Sequence, residues 1–198
     1  MNAVALPCGV QRFALDDIPA EPWRNGGGLT RTIATASQGG QVIWRVSAAD
    51  ITRAGPFSRF PGMNRSAVLI EGERLELTGG RRQIAFSGVG HTAHFDGDES
   101  LFASRPEQQV RLWNVMTRRG QAMTSVAEHR NSAVDLKSGC TAFVLVLKGQ
   151  YLLEDAGGDA GTLAAGEGLD LRQPGAAVTL KPASGDCSLI YTEIYSDT

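Results

Sequence analysis

Cysteine is scarce in this chain: Cys8, Cys140 and Cys187 are three residues, odd in number and scattered. That pattern excludes a disulfide framework and CxxC-type metal spacing, and it makes a reducing cytoplasm the expected compartment. No run approaches the ~20 apolar residues of a membrane helix. The segment from Met1 to Pro7 lacks the basic flank and the length of a secretory leader, so neither export nor membrane association is expected. Histidine is limited to His91, His94 and His129, without a His-x-His pair, so no metal or other cofactor is expected. The net charge is −2 and the isoelectric point about 5.9, which excludes the basic stripe that a nucleic-acid partner would need. Also missing is any apolar period of 3.6 residues sustained over three turns. The best helical candidate is one turn at Asp16-Asp17-Ile18-Pro19.

What remains is strand. Short runs rich in Val, Ile, Thr and aromatics, such as Val42–Val46, Ser66–Glu71, Val110–Met116, Ala142–Leu147 and Leu189–Tyr195, are broken by 24 glycines. Two hairpins resemble one another: Val68-Leu69-Ile70-Glu71-Gly72-Glu73-Arg74-Leu75 aligns without gaps on Leu145-Val146-Leu147-Lys148-Gly149-Gln150-Tyr151-Leu152. The second is followed by another glycine-centred turn between strands, at Gly166. This pattern suits double-sheet antiparallel jelly rolls. The expected fold is all-β, with two tandem cupin-like barrels spanning 1–119 and 120–198 and joined at the polar run Thr117-Arg118-Arg119-Gly120-Gln121. Their charges differ, +3 from 14 basic and 11 acidic residues in the first against −5 from 5 and 10 in the second, so an anion site belongs to the first.

Arginine supplies sixteen of the nineteen cationic side chains, and six of those sixteen lie within residues 23–65, where there is no lysine. Guanidinium presents a rigid fork of donors that matches a carboxylate, whereas lysine is a mobile point charge. Strand alternation puts Arg45 and Ser47 on one face, and Val110, Leu112, Asn114 and Met116 on one face of another strand, with Asn114 its lone polar group. Arg65 opens an apolar strand, where an unpaired cation is costly. It therefore meets either an acid, Glu71 or Glu73, or a ligand. Gly26-Gly27-Gly28 suits an anion nest around Gly27 or a tight turn. Beside it, Trp23 offers a flat wall and Asn25 a donor and an acceptor. The expected ligand-binding set is Trp23, Asn25, Gly27, Arg45, Ser47, Arg65 and Asn114. Arg24, Arg31 and Arg59 read as solvated or structural, Phe57 and Phe60 as loop packing, and Met116 as core.

The blocks Trp23-Arg24-Asn25-Gly26-Gly27-Gly28, Trp44-Arg45-Val46-Ser47, Gly55-Pro56-Phe57-Ser58-Arg59-Phe60-Pro61-Gly62, Asn64-Arg65, Leu69-Ile70-Glu71-Gly72 and Asn114-Val115-Met116-Thr117-Arg118 together resemble the HutD/Ves family of bacterial bicupins. The resemblance covers essentially the whole first half, while the second half matches only as a generic cupin. One departure is Leu112-Trp113, where the family usually has Asp-Phe, so no acid can act at position 112. The resemblance implies a cytoplasmic protein linked to histidine utilisation that binds a carboxylate intermediate such as urocanate, formylglutamate or formate, as a sensor or buffer. Two other classes stay open. One is a metal-independent isomerase or hydrolase using a pair such as His94 and Asp96; the other is an interaction module in which the acidic second barrel forms a homodimer or docks a partner.

Overall fold

The computed structural model describes residues 6–23, 26–155, 158–183 and 185–196. The strands are β1 (Val10–Ala14), β2 (Ala20–Pro22), β3 (Gly28–Gln38), β4 (Gln41–Ile51), β5 (Gly55–Phe57), β6 (Met63–Glu71), β7 (Arg74–Gly79), β8 (Arg82–Ser87), β9 (Thr92–Asp96), β10 (Leu101–Ala103) and β11 (Val110–Arg118). They continue as β12 (Ala122–Arg130), β13 (Val134–Leu136), β14 (Thr141–Lys148), β15 (Gln150–Asp155), β16 (Gly158–Ala164), β17 (Glu167–Arg172), β18 (Val178–Pro182) and β19 (Ser188–Ser196). A 3-10 turn at Leu15–Asp17 stands where aspartates and proline favour one. The fold is all-β, and the strand pairs along the chain are antiparallel. Among the described residues no helix is long and apolar enough to cross a membrane.

Two compact units form, and they divide the chain differently from the expected 1–119 and 120–198. One comprises Ile18–Thr124; the other comprises Ser125–Tyr195 with the N-terminal segment that ends at Asp17. Two physical reasons account for the difference. The polar run at 117–121 is a strand end and a tight turn: Thr117 and Arg118 finish β11, Gly120 takes φ 74°, the Gln121 amide donates to the Arg118 carbonyl, and β12 begins at Ala122. At the N-terminus, β1 adds to the edge of β17, with Val10 opposite Leu171 and Ala14 opposite Glu167.

Ile18–Thr124 contains a six-stranded sheet, β2-β3-β4-β11-β6-β9, and a four-stranded sheet, β5-β10-β7-β8. Inward residues of both form one core, with Ile51, Leu69 and Leu112 from the first and Leu75, Phe86 and Leu101 from the second. The other unit is built likewise from β1-β17-β14-β19-β12 and β13-β18-β15-β16, around Val144, Tyr151, Leu169 and Leu180. The strand orders correspond. β4-β11-β6-β9 is matched by β12-β19-β14-β17, and β5-β10-β7-β8 by β13-β18-β15-β16. Both hairpins seen as a sequence repeat turn at a left-handed glycine, Gly72 at φ 94° and Gly149 at φ 72°. A Cβ on Gly72 would fall 2.5 Å from Val110 Cγ1, and one on Gly149 2.6 Å from Cys187 Sγ. Glycine recurs because the bend needs positive φ and the next strand passes close behind it. None of the four sheets is a closed ring of strands in its pairing order.

Candidate functional site

Two cross-strand rows build the site. Met116 of β11 stands opposite Arg45 of β4 on one side and Arg65 of β6 on the other. Two residues along, Asn114 stands between Ser47 and Ala67. Because alternate residues share a face, all six point to the same side of the six-stranded sheet. Two arginines are thereby held two strand spacings apart at the backbone, roughly 9.6 Å, with a methionine between them.

A cavity of about 40 Å³ opens on this face, lined by Arg45, Ser47, Arg65, Asn114 and Met116 from the sheet and by Trp23, Phe57 and Phe60 from the segments that cover it. The volume has room for about three water molecules, which is the scale of a carboxylate group. Outside it lies a cleft of about 410 Å³ that shares Trp23, Thr30, Arg45, Phe57, Ser58 and Phe60 and adds Glu21, Pro22 and Pro56.

Arg65 is the centre of the arrangement. Only 5% of the residue is exposed, and its guanidinium carbon lies 4.5 Å from the ring centre of Phe57, 4.9 Å from Phe95 and 5.2 Å from Phe60. Nε and Nη2 donate to Asn114 Oδ1 at 3.3 and 3.2 Å, and Nη1 donates to the Ser58 carbonyl at 3.0 Å. Its acceptors are therefore neutral. Neither expected acid reaches it: Glu71 lies 3.5 Å from Arg111, and Glu73 is an exposed residue at the β6–β7 turn. Burial first, and the positive charge of Arg45 second, lower the Arg65 pKa to about 9. Guanidinium has five N–H donors. Three are used, which leaves one hydrogen on each terminal nitrogen, the pair that a carboxylate accepts side by side.

Arg45 is half-buried and donates through Nη2 to Thr32 Oγ1 at 2.7 Å. Desolvation lowers its pKa, against a raising influence from Glu21. Asn114 spends its carbonyl oxygen on Arg65 and keeps its amide N–H groups, and Ser47, 1% exposed, adds a hydroxyl to the lining. The Trp23 indole N–H donates to Thr30 Oγ1 at 2.7 Å and its ring meets Phe57 edge-on, so it presents an apolar wall.

Five of the seven residues singled out in the sequence, Trp23, Arg45, Ser47, Arg65 and Asn114, thus line one cavity. Asn25, with Arg24, lies outside the described residues. Gly27 does not line the cavity; its carbonyl accepts the Thr52 amide at 3.2 Å. Of the two readings of the glycine run, the turn fits. Gly26 alone of the three has positive φ, 67°, and its amide donates to the Trp23 carbonyl, while a Cβ on Gly28 would fall 2.2 Å from the Asp50 carbonyl oxygen. Phe57, Phe60 and Met116, read as packing, also line the cavity, and Phe95, Thr30 and Ser58 were not singled out at all. Arg31 and Arg59 are structural: Arg31 pairs with buried Asp50, which also accepts from Arg111, and Arg59 donates to the Asp98 carbonyl.

The acid–base pair considered for an enzyme has other partners: His94 Nδ1 bonds the Ser66 hydroxyl at 2.8 Å and Asp96 accepts from Arg119 at 3.1 Å. Both residues line a separate cleft of about 480 Å³, which Arg65 also borders, and not the cavity that Arg65 shares with Asn114 and Ser47. Among the described residues no three histidine, cysteine or acidic side chains group as metal ligands would. Among the described residues the second unit has no counterpart of the Arg65–Asn114 pair. By the repeat, Arg65 corresponds to buried Ala142 and Asn114 to Tyr191.

The HutD family model matches residues 15–188. The chain is 33% identical over 156 residues to Protein Ves of Citrobacter koseri, spanning 74% of this chain and 77% of that one. HutD from Pseudomonas fluorescens SBW25, in a structure determined in a formate condition, superposes with a TM-score of 0.74 at 22% identity, over 96% of this chain and all of the other. A cupin 2 conserved barrel domain protein from Leptotrichia buccalis superposes with a TM-score of 0.62 at 10% identity, over 96% and 98% of the two chains. The fold is cupin-like.

Proposed function

We propose that this chain, which belongs to the HutD family, binds a small carboxylate against Arg65 and acts as a sensor or buffer of an intermediate of histidine utilisation. One observation carries the reading: Arg65 is a buried cation whose protein partners are an amide oxygen, a backbone carbonyl and three aromatic rings. A charge removed from water without a counter-charge is costly, and proteins pair such charges. Here the missing partner is an anion from outside, and the two remaining guanidinium hydrogens, with the Asn114 amide and the Ser47 hydroxyl nearby, match a planar carboxylate. The repeated strand order supports reading the architecture as two tandem cupin-like barrels, of which the first carries the site.

Calorimetric titration of formylglutamate, urocanate and formate into chelator-treated protein tests this, beside the Arg65→Met variant. Binding of at least one by the wild type, lost in the variant, is the expected outcome. No binding of any of the three, or binding that survives the substitution, overturns the assignment. Product analysis on the ligand that binds separates sensing from catalysis.

A further inference from the structure

The Arg45–Met116–Arg65 row carries more than a single-anion site requires. We infer that the ligand is a dicarboxylate, its first carboxylate on Arg65 in the inner cavity and its second on Arg45 where that cavity meets the outer cleft. This rests on the carboxylate reading of the site and narrows it to a substrate class.

Three observations point this way. Arg45 lines both the inner cavity and the outer cleft, whereas Arg65 and Asn114 line only the inner one of the two, so the two cations stand at successive depths of one path. Neither guanidinium has a carboxylate within ion-pair distance among the described residues, and Arg45 engages one hydroxyl, on Thr32. Met116, buried between them, is an uncharged floor along which an alkyl spacer can lie. Two like charges facing a shared space repel one another, and a ligand with one negative charge relieves only one of them. A dianion relieves both. The one acid of the path, Glu21, is exposed and borders only the outer cleft. It leaves the inner end uncompensated and disfavours anions lodged at the mouth.

The test compares two five-carbon acids, glutarate and pentanoate, by calorimetry on the full chain, as wild type, Arg45→Met and Arg65→Met. An additional charged hydrogen-bonded contact is worth about tenfold or more in affinity. The wild type is therefore expected to bind glutarate at least about tenfold more tightly than pentanoate, with a steeper loss as ionic strength rises. Arg45→Met should bring glutarate to within about threefold of pentanoate; a tenfold glutarate preference that persists in this variant overturns the role of Arg45. Equal affinities in the wild type overturn the dicarboxylate inference without any variant and leave the Arg65 site standing. Failure of both acids to bind the wild type, or binding of both by Arg65→Met, overturns the underlying site as well.

Discussion

Replacing Arg65 by methionine sets stability against function. Each unit of pKa depression corresponds to about 1.4 kcal/mol, and a group held near 9 has lost at least about three units, so keeping this cation buried costs the native state roughly 4 kcal/mol. The sign is that of a base with a lowered native pKa: the cost is fully present at every pH below about 9, neutral pH included. Against it stand cation–π contacts to three rings, about 2 kcal/mol together, and hydrogen bonds to Asn114 and Ser58, about 1 kcal/mol each. These terms nearly cancel. Arg65→Met, with an unbranched apolar side chain among Phe57, Phe60 and Phe95, should therefore lie within about 2 kcal/mol of the wild type. For a chain of this size that is a shift of no more than about 6 °C in melting temperature. Thermal unfolding without ligand, followed by circular dichroism, measures it. Added carboxylate should raise the melting temperature of the wild type and leave the variant unmoved. A loss above about 4 kcal/mol without ligand would mean that the guanidinium is a structural strut, and the reasoning from an uncompensated charge would fail.

Other perturbations have different expected outcomes. Gly97→Ala places a Cβ 2.3 Å from the Phe60 carbonyl oxygen and 2.8 Å from that of Met63. It displaces the loop that supplies Ser58 and Phe60 to Arg65, so carboxylate affinity should fall about tenfold or more by calorimetry. Asp50→Asn leaves Arg31 and Arg111 beside a neutral amide in a buried position, and should cost about 3–5 kcal/mol in urea denaturation. Burial raises the Tyr151 pKa to about 12, so above pH 10 the unfolded chain ionises before the native one. Stability should accordingly decline between pH 10 and 12, more steeply in the wild type than in Tyr151→Phe, as read by chemical denaturation across that range.

The parts of the site legible from sequence were those governed by the two-residue period of a strand. That period is local, so Arg45 with Ser47, and Asn114 with Met116, could be assigned faces, and Arg65 stood out as a cation opening an apolar run. The aromatic cage was hidden because it is made by pairing at a distance. Phe95 reaches Arg65 as its register partner across β6 and β9, while Phe57 ends β5 and Phe60 lies on the segment that follows it. The role of β1 was hidden for the same reason, since its partner β17 lies more than 150 residues along the chain. Composition misled at the junction, where a polar run with a glycine suits a linker and a tight turn equally well. Glu71 was a plausible partner for Arg65 by proximity in sequence. The register shift at Arg111/Leu112 instead sets Glu71 opposite Arg111.

The most direct measurement of the central claim is a crystal structure of the chain soaked with the tightest-binding carboxylate from the calorimetric series. A carboxylate is expected in the inner cavity with its two oxygens about 2.7–2.9 Å from Nη1 and Nη2 of Arg65, with Asn114 and Ser47 as further donors. A ligand bound elsewhere, with only water against Arg65, would contradict it.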